Sequence, residues 1–208
     1  MHIFKFLFLI MSLSPALHSF EEGAVFNEDV KIIYRDYGPK DAEPILLVQG
    51  LGGQLINWPD HLIDFLISNN FRPIVFDNRD TGLSSRLTDD RFAEGNRSKT
   101  INSTYLKYYF RLPINPPYTL DDMASDAILI LDKLDIAKTH LLGMSMGGMI
   151  AQIIAANHPE RINSFTLIAS SISAPSPLNG PTRDVRRLLM KRSANPYSTN
   201  DERIERSK

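Results

Sequence analysis

The segment Gly143-Met144-Ser145-Met146-Gly147 separates a short apolar run, Thr139-His140-Leu141-Leu142, from an almost wholly apolar stretch, Met149 to Asn157. The first run is short enough for a buried strand, and the second has the length and character of a buried helix. A G-x-S-x-G between a strand and a helix is a demanding turn. It forces the serine into a strained backbone conformation and lifts its hydroxyl above the sheet edge. Gly143 and Gly147 are needed because the backbone passes so close to itself that Cβ atoms would clash. The helix that follows aims main-chain N–H groups at the same place, where negative charge is stabilised.

The rest of the chain supplies the frame such a turn needs. Val30 to Tyr37 is rich in β-branched and aromatic residues and stops at Gly38-Pro39, a strand and turn. Ile45-Leu46-Leu47-Val48 and Pro73-Ile74-Val75-Phe76 are short continuous apolar runs, as expected of strands covered on both faces. Leu62, Phe65 and Leu66 recur at helical spacing within 61–69. Tyr105 to Leu112 reads as a short helix before Pro113, Pro116 and Pro117. Leu120, Met123, Ala127, Ile128, Leu131 and Leu134 keep a 3.6-residue period. Thr119 is the expected N-cap, with Asp121 and Asp122 suiting the helix dipole. Ser164 to Ala169 is a last strand, and Glu21-Glu22-Gly23 reads as turn-like. Strands alternating with helices predict an α/β fold with a mainly parallel sheet and helices on both faces.

A second glycine-rich loop, Gln49-Gly50-Leu51-Gly52-Gly53, follows the run at 45–48. There the N–H of Leu51 can reach toward Ser145 and join the N–H of Met146 as an oxyanion hole. Gly50-x-Gly52 also opens a dinucleotide-binding fingerprint, but its third glycine would stand at position 55, which is Leu55. A phosphate-binding P-loop is excluded because neither glycine turn carries the Lys-Ser/Thr pair.

Three blocks together resemble the α/β-hydrolase fold superfamily: Val48 to Gly53, Asp77-Asn78-Arg79-Asp80-Thr81-Gly82-Leu83-Ser84, and Gly143 to Gln152. More narrowly, Gly50 to Pro59 with Phe76 to Asp80 is similar to the aclacinomycin methylesterase-like branch. The resemblance covers about residues 25–175. It implies that Ser145 is the nucleophile of an esterase-like serine hydrolase, and that Asp77, Arg79 and Gly82 form a structural loop beside the site. Asp126 reads as structural too. Gln49 departs from the family, where His often precedes the glycine. The hole geometry is unaffected, because its donors are backbone groups.

A serine hydroxyl needs an adjacent base, oriented by a carboxylate, in this fold in the order Ser, Asp or Glu, His. His158 is the one histidine after Ser145, and a helix of a dozen residues carries it about 18 Å away. His140 lies inside a strand and His61 on a surface helix. Asp184 and Asp201 fall in segments that look like a cap or tail. The catalytic Asp and His are therefore expected to be absent from this chain, and the fold to be incomplete at its C-terminal end. That makes the chain a truncated hydrolase, inactive or impaired, with an exposed sheet edge near 164–169.

Residues 1–19 combine Lys5, the apolar run Phe6 to Leu13 and small residues at Ala16 and Ser19. This predicts a signal peptide and a periplasmic or secreted protein, or a cytoplasmic one if the segment is not cleaved; the apolar run is too short to span a bilayer. The core is then 20–175, and 176–208 begins a cap region or tail. With 23 basic against 24 acidic residues and a net charge of −1, non-specific nucleic-acid binding is disfavoured. With no cysteine, thiol nucleophiles and Cys-based metal sites are excluded. No cofactor or metal is implied, and the expected partner is a small ester or related acyl substrate. Two other readings stand beside this one: a non-catalytic binding protein on the same scaffold, and an amidase or aminopeptidase.

Overall fold

The computed structural model describes residues 19–87 and 112–171, together with positions 103, 104, 106, 107, 110 and 184. Most of the leader expected at 1–19, the helix expected at 105–112 and the cap expected at 176–208 falls outside the described residues. In chain order the elements are β1 (Phe20–Asn27), β2 (Val30–Tyr37), β3 (Glu43–Val48), α1 (Asp60–Ser68), β4 (Phe71–Phe76), α2 (Leu120–Lys133), β5 (Thr139–Met144), α3 (Met146–Asn157) and β6 (Ile162–Ile168). They build a six-stranded sheet in the order β1-β2-β4-β3-β5-β6. β1 and β2 form an antiparallel hairpin, and β2 meets β4 antiparallel. The β4–β3–β5–β6 ladders are parallel.

The period-2 geometry of the strands divides the core into two halves. Leu46 and Val48 of β3, Ile74 and Phe76 of β4 and Leu141 of β5 face α2 and α3, where Ile130, Leu131, Ile150 and Ile154 meet them. Ile45, Leu47, Val75 and Leu142 face the other way, onto Ile63 and Leu66 of α1 with Leu55 and Trp58. Strands buried on both faces explain the unbroken apolar runs at 45–48 and 73–76. Removing a side chain such as Leu46, Leu47 or Phe76 from water contributes roughly 1.5–3 kcal/mol each.

Three elements differ from the sequence reading. The first is β1, expected to begin with a turn. It pairs with β2 along its whole length, and Gly23 opposite Tyr34 explains how. A Cβ at 23 would lie 2.4 Å from the Tyr34 hydroxyl oxygen, so the glycine makes room for the ring across the strand. The second is the buried stripe of α1, which runs through Ile63 and Leu66, while Phe65 is exposed. The third is α3, which starts at Met146, directly after the serine, and so takes Gly147 and Gly148 into its first turn. The α2 cap is as expected: the Thr119 hydroxyl accepts from the Asp122 N–H at 3.2 Å, and the Asp122 carboxylate accepts from the Thr119 N–H at 2.7 Å.

An ion pair fixes the antiparallel side of the sheet. Asp36 on β2 is buried and takes both Nε (2.8 Å) and Nη2 (2.7 Å) of Arg72 on β4. Lys40 adds a third donor at 2.5 Å. Burial pushes the Asp36 carboxyl up. Arg72 and Lys40 outweigh it and hold the group below the ordinary aspartate value. The pair therefore contributes stability above about pH 4, near the unfolded aspartate pKa, and loses it as pH falls further through the depressed folded value. Arg72→Met, which leaves the buried carboxylate with the half-exposed Lys40 alone, is expected to cost up to about 3–5 kcal/mol in urea denaturation near neutral pH. The double variant Asp36→Leu/Arg72→Met is expected to cost far less and to flatten the loss of stability below about pH 4.

Candidate active site

Ser145 is the hinge between β5 and α3, with φ 53° and ψ −119°. Glycine reaches such a positive φ freely, but for serine it costs on the order of 1–3 kcal/mol. The surroundings hold it there. The Ser145 N–H donates to the carbonyl of Ile168 at the end of β6 (2.9 Å), and the Ser170 hydroxyl donates to the Ser145 carbonyl (2.8 Å). The side chain is exposed, and among the described residues no side chain hydrogen-bonds its Oγ. The oxygen is neither packed away in the core nor turned from the Gly50 loop: a Cβ at Gly50 would lie 3.1 Å from Ser145 Cβ and 3.6 Å from Oγ.

The glycines of this turn are steric requirements. A Cβ at Gly147 would sit 2.1 Å from the Val48 carbonyl oxygen and 2.6 Å from that of Gln49. One at Gly143 would sit 2.6 Å from the Gly147 carbonyl oxygen and 2.7 Å from Gly148 Cα. Backbone therefore lies directly on backbone where β3, β5 and α3 converge. Met146 opens α3, whose first-turn N–H groups have no partner inside the helix. Leu51 lies in the turn closed by the Gly53 N–H on the Gly50 carbonyl (3.0 Å), with Gly52 at φ +69°. The Leu51 side chain is 80% exposed, and its N–H has no backbone partner among the described residues.

Asp77 and Arg79 brace the floor of the site. The Asp77 carboxylate accepts from the N–H of Leu55 (2.7 Å) and of Leu83 (2.9 Å), bridging two loops. Gly82, at φ +53°, lies so close to that carboxylate that no side chain fits. Arg79 forms a buried two-pronged pair with Asp126 of α2, at 2.5 and 2.8 Å, and Asn27 donates to the same carboxylate. The Arg79 guanidinium also lies 5.9 Å from the centre of the Tyr118 ring. Burial, then a hydrogen bond with Asp80, pushes the Tyr118 hydroxyl up, so it stays protonated. Sequence reading marked Asp77, Arg79 and Asp126 separately, but the pairing and the parts of Ser84 and Ser170 were missed. The Ser84 hydroxyl donates to the Asp77 carbonyl (2.7 Å) and accepts from the Ile33 N–H (2.9 Å). No local pattern marks such contacts, which join residues far apart in the chain.

The described histidines lie on or at the end of three different elements. His158 caps the C-terminal end of α3. His140 lies near the start of β5, with Nδ1 2.7 Å from the Ser164 hydroxyl. His61 is exposed on α1.

This arrangement agrees with what the chain is similar to. Residues 43–200 match the model of the alpha/beta hydrolase fold family. The chain belongs to that family. It is 29% identical over 144 residues to rhodomycin D methylesterase DnrP of Streptomyces peucetius, a match covering 69% of this chain and 40% of that protein. It is 33% identical over 130 residues to rhodomycin D methylesterase DauP of Streptomyces sp. (strain C5), covering 62% of this chain and 35% of that one. The chain thus spans well under half the length of these relatives. Among solved structures, one from a study of carboxylesterases of the thaumarchaeon Nitrososphaera gargenis superposes with a TM-score of 0.61 at 21% identity, over 86% of this chain and 54% of its own. At that identity the likeness is one of fold.

If the glycines are there for space, substitution should rank by the contact a Cβ would meet. Gly147→Ala and Gly143→Ala are expected to destabilise by about 3 kcal/mol or more, since backbone on both sides must move. Gly52→Ala, where nothing lies within 4 Å, should cost only the roughly 1–2 kcal/mol of its left-handed conformation. Urea denaturation of the three variants checks the order.

Proposed function

We propose that this protein is an esterase-like serine hydrolase in which Ser145 attacks the acyl carbon of a carboxylic ester or related substrate. The observation that carries the reading is the exposed Ser145 hydroxyl, held at positive φ between strand and helix beside the Gly50 turn. In the first step the Oγ–C bond forms, the carbonyl π pair moves onto oxygen, and the hydroxyl proton passes to a base. The N–H groups of Met146 and Leu51 are assigned to the oxyanion, acting where charge develops and not where the substrate merely rests. Collapse of the tetrahedral intermediate releases the alcohol, and water then frees the acid. A small-molecule ester is the proposed partner, in keeping with the methylesterases among the relatives.

Turnover also needs the base and its carboxylate. His158 caps the C-terminal end of α3 and His140 pairs with Ser164 near the start of β5, so neither is assigned as that base, and activity of the 208-residue chain by itself is proposed to be impaired. A serine in an oxyanion pocket retains residual reactivity without its base. With excess fluorophosphonate probe, Ser145 is therefore expected to be phosphonylated faster than the other serines, and the adduct to vanish in Ser145→Ala. Slow p-nitrophenyl ester turnover should accompany it. An adduct mainly on another serine, or equal labelling of Ser145→Ala, would overturn the nucleophile. Robust turnover by the chain alone would overturn the impairment.

A second reading is a binding protein that keeps the hydrolase scaffold, since one fold serves many functions. It is distinguished by ligand affinity that survives Ser145→Ala while no serine of the chain labels.

A further inference from the structure

Resting on that reading of Ser145, we propose that Gln49 is a positioning residue, whose carboxamide oxygen holds the Gly50–Gly53 turn and so keeps the Leu51 N–H aligned with Ser145. Gln49 immediately follows β3 and is 1% exposed. Its Oε1 lies 3.4 Å from the Gly50 nitrogen, a long hydrogen bond. A Cβ at Gly53 would lie 2.7 Å from that oxygen, 3.2 Å from Gln49 Cδ and 3.3 Å from its Cβ. The turn is thus folded around the Gln49 side chain, and its first residue, Gly50, borders Ser145.

The main chain of Gln49 ties the same residue to the serine turn. Its carbonyl accepts from Asn78 Nδ2 at 3.1 Å and is one of the two oxygens that leave no room for a Cβ at Gly147. Gln49 therefore touches both supposed halves of the oxyanion hole, the Leu51 turn through its side chain and the start of α3 through its backbone.

The other end of the carboxamide shows that polarity here is not simply tolerated. Among the described residues, Gln49 Nε2 is buried without a hydrogen-bond partner, as is the neighbouring Asn78 Oδ1. A buried unsatisfied donor destabilises a fold, and an apolar side chain of similar length would avoid it. What such a side chain lacks is the acceptor for the Gly50 N–H, which also lies close against Gly53. Violations of local rules of this kind concentrate where function needs a particular group.

The test uses Gln49→Met, which keeps length without an acceptor, and Gln49→Glu, which keeps the oxygen, both in the full 208-residue chain. Gln49→Met is expected to speed hydrogen exchange of the Gly53 amide by about tenfold or more, leaving β3 and β5 amides unchanged. It should also slow phosphonylation of Ser145 about tenfold at saturating probe, with the half-saturating concentration unchanged. Gln49→Glu should bring both readouts back to within about threefold of the parent. The inference is overturned if Gln49→Met moves neither readout, if Gln49→Glu fails as badly as Met, or if exchange rises together across β3 and β5. Absence of labelling at Ser145 in the parent would count against the nucleophile, whereas the exchange measurement needs no chemistry and still decides the role of Gln49.

Discussion

The site depends on one contact between main chains: the first turn of α3 lies directly on the end of β3, with Gly147 against the carbonyls of Val48 and Gln49. Side chains adjust by rotating, but backbone pressed on backbone does not. The contact therefore fixes where the helix begins relative to the parallel sheet, and with it the place of Ser145. It also brings the loops after β3 and β5 side by side, which follows from the strand order: β3 and β5 are neighbours, so both chain ends emerge at the same edge. In open α/β sheets this carboxyl edge of the strands is where ligands are bound.

Holding a serine at positive φ is costly, and the cost is met by supports that lie outside the turn. The Ile168 carbonyl and the Ser170 hydroxyl grip the Ser145 backbone from the β6 side. On the other side, Asp77 ties the loop at 55 to the loop at 83, and Arg79 anchors that assembly to α2 through Asp126. Asp77, Arg79 and Asp126 are buried and multiply bonded, so each is costly to remove while the network is intact. Their part is stiffness: they tie the loops at 55 and 83 to each other and to α2.

The fold was legible in the sequence because its signals are local. Continuous apolar runs marked β3 and β4, a 3.6-residue period and a Thr-x-x-Asp cap marked α2, and G-x-S-x-G at a strand–helix junction marked Ser145. Where reading along the chain failed, the deciding interaction lay elsewhere in the molecule. β1 is acidic at its start and carries a glycine, and it is a strand because β2 pairs with it and Tyr34 fills the space over Gly23. Gly147 and Gly148 read as turn, yet they are helical because the helix can approach β3 and β5 only without a Cβ there. Asp126 gave no sign of pairing with Arg79, a residue 47 positions away along the chain. The same limit applies to Gln49, whose letters in a Gly-rich loop say nothing of a buried carboxamide beneath it.

A further division runs through the glycine loop itself. At position 51 the proposed reaction uses the backbone N–H, which lies in the turn closed by Gly53 on Gly50, while the side chain is 80% exposed. The two are physically independent: altering the Leu51 side chain disturbs neither the Gly50–Gly53 hydrogen bond nor the packing of Gly147. At position 49 the reverse holds, because the side chain is sealed and its contacts are part of the turn. A loop built this way separates the group that stabilises charge, fixed by neighbours on both sides, from the surface that meets the substrate. Under the proposed reaction, such a scaffold would keep one geometry at the main chain while the residues facing solvent vary with the substrate.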